Sequence, residues 1–156
     1  MIRGTIAVIA GYVSMALFIM ITFSLTWMVV GYQFAFKAGT TDVTPGWIAI
    51  TLPLDLLAAV LGGWIAVKIA RGEVAPRVLA GIVLVLGLTL AFISLRLVHP
   101  VPPKPIPQIS TFEAASYAVE PDWYQFAVPF IGAIGVLIGS RLGRRRSKVE
   151  AQPAGA

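Results

Sequence analysis

An all-helical integral membrane protein is the fold class this sequence predicts, and three observations lead to it. Hydrophobic residues make up 58% of the 156 positions and charged residues only 12%. Mean hydropathy is +0.86, more apolar than a domain surrounded by water sustains on its surface. Four long stretches almost free of charge cover 5–31, 47–70, 76–98 and 123–142. A hydrocarbon layer about 30 Å thick takes roughly 20 apolar residues of helix to cross, and each stretch is long enough with some tilt. The expected architecture is an antiparallel bundle of four transmembrane helices within residues 1–143, followed by a basic, disordered tail at 144–156.

The first span lies between Arg3 and Lys37. Its apolar run is about twice that of a signal-peptide core and no A-x-A-like site follows it, so it reads as a retained helix. Trp47 opens the second span and Pro76 with Arg77 the third, which only Arg96 interrupts near its end. Trp123 opens the fourth, and an arginine cluster closes it after Ser140.

Sidedness follows from Lys and Arg near the span ends, because positive charge resists translocation. Arg3, Lys68, Arg71, Arg77, Arg141, Arg144, Arg145, Arg146 and Lys148, nine of twelve basic residues, share one side, and Lys37, Arg96 and Lys104 lie on the other. Both termini are therefore expected in the cytoplasm, with the chain in a plasma (inner) membrane of bacterial type. Arg141, Arg144, Arg145, Arg146 and Lys148 are the expected anchor to anionic lipid headgroups. Nucleic acid is not an expected partner, since this charge has no stacking platform beside it. The far side carries Tyr32, Phe34, Phe36, Trp47, Phe112, Tyr117, Trp123 and Tyr124, which suit an interfacial aromatic belt.

The turn at 71–75, closed by Pro76 in a helix's first turn, sets the second and third helices antiparallel and adjacent. Pro100, Pro102, Pro103, Pro105 and Pro107 favour extended polyproline II in the external loop. Ser110 with Glu113 then has the spacing of a capping box, predicting a short helix over 111–118. His99, alone, is an interfacial residue rather than a metal ligand.

Asp55 is the most informative residue, lying eight positions or roughly 12 Å of helix below Trp47. A carboxyl near the bilayer centre costs roughly 2.5 to 3.5 kcal/mol on insertion scales, so it should face the bundle interior. Thr51 sits one turn above it, and Ala58, Ala59, Gly62, Gly63 and Ala66 continue a small-residue face below. Pro53 should distort the helix beside the acid. Depth counting adds Thr89 and, through a long side chain, Arg96 to an expected polar cluster of Asp55, Thr51, Thr89 and Arg96. This cluster either locks helices together or handles a proton or cation. On the fourth helix Gly135, Gly139 and Gly143 repeat G-x-x-x-G, a smooth strip for packing within the monomer or against another copy.

The chain contains no cysteine and one histidine, and carries no H-E-x-x-H or phosphate-binding loop, so no metal, cofactor or catalytic role is expected. Two functions fit. The leading expectation is a non-catalytic accessory or scaffolding subunit that packs on other membrane subunits or on itself. The alternative is a small oligomeric transporter or channel using Asp55 as its proton or cation site.

Overall fold

The computed structural model describes residues 2–97, 102, 113–114 and 116–150, excluding the side chains of 145–150. Among these residues the helices are α1 (Ile2–Val30), α2 (Tyr32–Ala35), α3 (Pro45–Ala70), α4 (Val74–Ser94) and α5 (Asp122–Glu150). Four segments, namely α1, α3, α4 and the Asp122–Arg144 part of α5, are long and apolar enough to cross a membrane. No strand forms among the described residues, only isolated bridges. The chain is thus a small multi-pass helical membrane protein. Large apolar side chains such as Ile9, Leu25, Leu90 and Phe130 point outward, which is stable only where lipid replaces water.

Several ends differ from those the hydropathy suggests. The third span closes at Ser94, after which Leu95 and Arg96 form a turn, so Arg96 lies beyond the helix. The backbone of α5 stays helical through 144–150, the first half of the segment expected to be a disordered tail. Of the short helix expected over 111–118, Glu113 and Ala114 are helical, but 116–117 form a turn and Ala118 is outside any helix; Ser110 of the capping box and, apart from Pro102, the proline segment lie outside the described residues.

Local chemistry explains the helix starts and turns. Thr44 caps α3 with its hydroxyl, which accepts from the Trp47 amide at 3.1 Å and donates to the Phe34 carbonyl at 2.7 Å, while Pro45 fills the first turn without wasting an amide. Arg71 closes α3 in the left-handed region, φ 55°, its amide bonded to the Val67 carbonyl at 2.9 Å. The turn occupies 71–73, since α4 already begins at Val74.

Glycine decides the packing. Gly62 and Gly63 are neighbours on α3 and so point about 100° apart, and each admits a different helix. Gly62 lies against Met15 and the Gly11 carbonyl of α1, while Gly63 lies against the Val136 backbone of α5. A Cβ on Gly135, Gly139 or Gly143 would meet Leu56, Val60 or Trp64 respectively. The contacts step by four residues on both helices, so α3 and α5 run parallel, and the glycine strip is consumed inside the monomer.

On its other side α5 meets α4 antiparallel, with Pro129 against Gly87 and Gly132 against Val83. The main contacts of α3 are with α5 and α1, and those of α4 with α5; α3 and α4 touch far less than either touches α5. The expectation that α3 and α4 pack side by side is therefore corrected. Their short turn joins them at one end only, because the glycine faces of α3 accept α1 and α5 more closely than they could a helix without such faces.

The end of the bundle with α2 is closed by its own loops. Asp42 bridges to Val119, and the Val43 amide donates to the Val119 carbonyl at 3.0 Å. Beneath lie Trp27, Phe36 and Trp47, with Trp27 edge-on to both other rings at 5.3 and 5.0 Å. Phe36, Trp47 and Tyr124 are thus buried core rather than members of the aromatic belt; Phe34 and Trp123 remain exposed. The connection between α1 and α3 folds inward because it has a partner in 118–120, which no count of interfacial aromatics reveals.

Candidate functional site

Three side chains from two helices meet in the loop-end half of the bundle. Tyr124 Oη donates to Asp55 Oδ2 at 2.8 Å and lies 3.0 Å from Thr51 Oγ1. A phenol has one hydrogen to give, so with it directed at Asp55 the Thr51 hydroxyl donates to the phenol oxygen. The result is a directed chain, Thr51 to Tyr124 to Asp55, in which each bond polarises the next. All three residues are buried.

Helical spacing puts Thr51 and Asp55 on one face of α3, one turn apart. Tyr124 reaches between them from the first turn of α5. Tyr124 is joined to the aromatic floor of the loop end, in the cluster with Trp27, Phe36 and Trp47, which fixes the ring and hence the phenol.

Beside this chain is a cavity of about 440 Å³ that opens to the exterior of the bundle. Asp55, Tyr124, Glu120 and Gln125 give it polar groups, and Phe23, Leu90, Val128 and Pro129 much of its apolar wall. Glu120 lies just before α5, outside the membrane-spanning segments. Its backbone carbonyl accepts from Gln125 Nε2 at 3.2 Å, and its carboxyl makes no hydrogen bond or ion pair among the described residues. Burial pushes that carboxyl up to about 7, and the nearby Asp55 adds to the shift.

Below Asp55 the interior of the bundle is close-packed. Met15, Ala59, Ala66, Leu79, Ala80 and Val136 fill the space between the helices, and Leu79 and Val136 have no exposed surface. The cavity therefore ends near Asp55.

Of the four residues expected to cluster, the structure brings together Asp55 and Thr51 and places the other two elsewhere. Thr89 is exposed, and its hydroxyl donates to the Val85 carbonyl of its own helix at 2.7 Å. Arg96 is exposed in the turn after α4. Thr22 of α1 also bonds backward, to the Phe18 carbonyl at 2.7 Å. Pro53 faces outward, whereas Pro129 is buried and lines the cavity, where it withholds the helical donor from the Gln125 carbonyl.

Tyr124 and Glu120 are the members sequence reading misses. Counting depth along each helix holds only where all helices begin at one height, and here the 118–121 segment, paired with 41–43, dips into the bundle mouth and carries Tyr124 down to Asp55. No group of three or more His, Cys, Asp or Glu that could hold a metal ion occurs among the described residues.

Fold and site together define a class, a four-span helical membrane protein with a carboxyl-lined cavity in one half and a close-packed seal in the other. No family model, curated protein or solved structure matches this chain.

Proposed function

We propose that this protein is a small, non-catalytic membrane carrier or receptor that takes a cation, or a ligand with a positively charged nitrogen, into the loop-end cavity. The observation that carries this reading is that two carboxyl groups from different elements, Asp55 and Glu120, line one open cavity, and that Glu120 has no counter-charge among the described residues. A mostly apolar pocket with a few convergent polar groups is the usual form of a small-ligand site. By the positive-inside rule the cavity faces away from the cytoplasm, and both termini lie within it.

The sign of the pH dependence follows from Glu120. With its carboxyl raised from an ordinary 4.5 to about 7, the folded protein holds a proton that an opened loop would release. The fold of the loop end is thus most favoured at or below about 4.5 and loses that contribution as pH rises to about 7, and is flat beyond. Cation affinity runs the opposite way, because only the ionised carboxylate attracts a cation. Between pH 6 and pH 8 the ionised fraction of such a group, and with it the affinity, rises roughly tenfold.

Titration of the protein in lipid nanodiscs with sodium and with tetraethylammonium at those two pH values tests this. Glu120→Gln should flatten the pH dependence while leaving the protein monodisperse. Absence of binding at pH 8, or binding indifferent to Glu120→Gln, removes the reading.

A second reading, an accessory or scaffolding subunit, is favoured by the engagement of Asp55 with Tyr124, which makes the acid a clamp between α3 and α5. The outward apolar faces of α1 and α4 would then receive a partner helix. Purification in mild detergent separates the readings: a stoichiometric complex supports this one, and a lone species with Glu120-dependent cation binding supports the first.

A further inference from the structure

At the basic end a second cavity, of about 470 Å³, lies between the start of α4 and the far part of α5. Its lining is Glu73, Arg77, Leu137, Ser140, Arg141 and Arg144. The four α5 residues fall at positions i, i+3, i+4 and i+7, one face of a helix, so that face changes from apolar to hydroxyl to cationic as it leaves the membrane.

The short turn at 71–73 explains why α4 contributes here. Glu73 immediately precedes α4, yet its side chain does not cap the helix. Its carboxylate instead pairs with Arg77 one turn along α4 through one oxygen and with Arg144 of α5 through the other. One acid thus holds two guanidinium groups at the rim of one cavity. Arg141 lines the same cavity and makes no ion pair or hydrogen bond among the described residues.

Three arginines against one glutamate leave two positive charges in excess around a concave space. The α4 N-terminus starts beside them, and the helix dipole adds further positive potential. Guanidinium groups present planar, forked donors that match phosphate oxygens. Position selects the same chemistry: the apolar run of α5 gives way to Arg141 and Arg144 directly after Ser140, a change that sets these arginines at headgroup level, while Leu137 is 37% exposed one turn toward the hydrocarbon. Ser140 Oγ is already committed, donating to the Leu137 carbonyl at 2.8 Å, so the donors available to a ligand are the arginines.

We propose that this cavity binds a phosphate group, monoester or diester, with Arg141 as its principal ligand, Arg77 and Arg144 as flanking donors, and Glu73 as the counter-charge that keeps those two together when the site is empty. A basic pocket between helices at the headgroup level suits the phosphate of an anionic lipid, and a free phosphate offers the same oxygens.

The test uses the full chain purified in detergent and titrated, under native mass spectrometry and in thermal unfolding, with cardiolipin, with diacylglycerol, which has no phosphate, and with inorganic phosphate. Wild-type protein should retain cardiolipin over diacylglycerol if the source is a headgroup, or be stabilised by inorganic phosphate if the source is soluble. Losing one charge-assisted bond weakens binding by about tenfold or more, the effect expected of Arg141→Gln. Glu73→Gln separates this role from a purely structural one. Removing the counter-charge should leave phosphate binding intact or tighter, whereas a Glu73 needed only to hold α4 on α5 would make it weaker. Equal affinity for all three probes, or retention unaffected by Arg141→Gln, overturns the proposal.

Discussion

Replacing Gly139 with leucine prevents α5 from seating on α3, and the protein is expected to lose its monodisperse folded form in mild detergent. A Cβ at this position would fall inside the van der Waals envelope of the Val60 carbonyl, and one at Gly63 inside that of Val136. In both cases the obstructing atoms are backbone, which cannot rotate aside as a flexible side chain does. Overpacking a well-filled interior costs typically about 1–3 kcal/mol, and the figure here should reach or exceed the upper end because helix axes have to part. Against a total stability of about 5–15 kcal/mol, that is a large share. Gly81 supplies the control, since nothing lies within 4 Å of a Cβ built there. Gly81→Ala should be neutral or stabilising by up to about 1 kcal/mol through helix propensity. Thermal unfolding of the three proteins side by side decides the matter, and a Gly139→Leu variant that melts with the wild type would mean the parallel α3–α5 contact is not the one that forms.

The second large effect is expected at Tyr124. Tyr124→Phe keeps the ring in its aromatic floor but deletes the oxygen that serves both Thr51 and Asp55. Thr51 retains a weak alternative in the Ile48 carbonyl at 3.4 Å, whereas Asp55 Oδ2 is left without a donor. A polar contact between membrane helices averages about 0.6 kcal/mol and reaches about 1.7. Stranding a buried acceptor brings the loss to about 1–3 kcal/mol. Asp55→Asn should be milder, because the amide oxygen still accepts from the phenol. The double variant should cost less than the sum of the single ones, as residues of one network do. Unfolding free energies for the four proteins in a double-mutant cycle give the coupling. Strict additivity would show that the phenol and the acid act independently.

The parts of this molecule set by local composition were legible in its sequence. The spans follow from apolar length alone, and Asp55 stood out because lipid makes any acid conspicuous. What is non-local was not legible. The glycine strip of α5 was visible, but its packing partner was not, since the same spacing serves a neighbour in the chain or a second copy. Thr89 illustrates a different failure: a hydroxyl in an apolar helix satisfies itself on the carbonyl one turn back, so depth alone does not recruit it to a cluster. Tyr124 reads as an interfacial aromatic and Glu120 goes unnoticed, because the inward dip of 118–121 depends on pairing with 41–43, more than seventy residues earlier.

The parallel pairing of α3 with α5 has a consequence for biogenesis. α3 enters the bilayer before its broadest partner, α5, has been made, and α4 cannot stand in for it. During synthesis the groove around Gly63 and Val60 therefore faces lipid, and the buried acid on the same helix lacks its phenol until residue 124 arrives. Assembly of the bundle's centre waits for α5 to cross, and a nascent chain arrested before it would present an unsatisfied carboxyl to the membrane quality-control machinery.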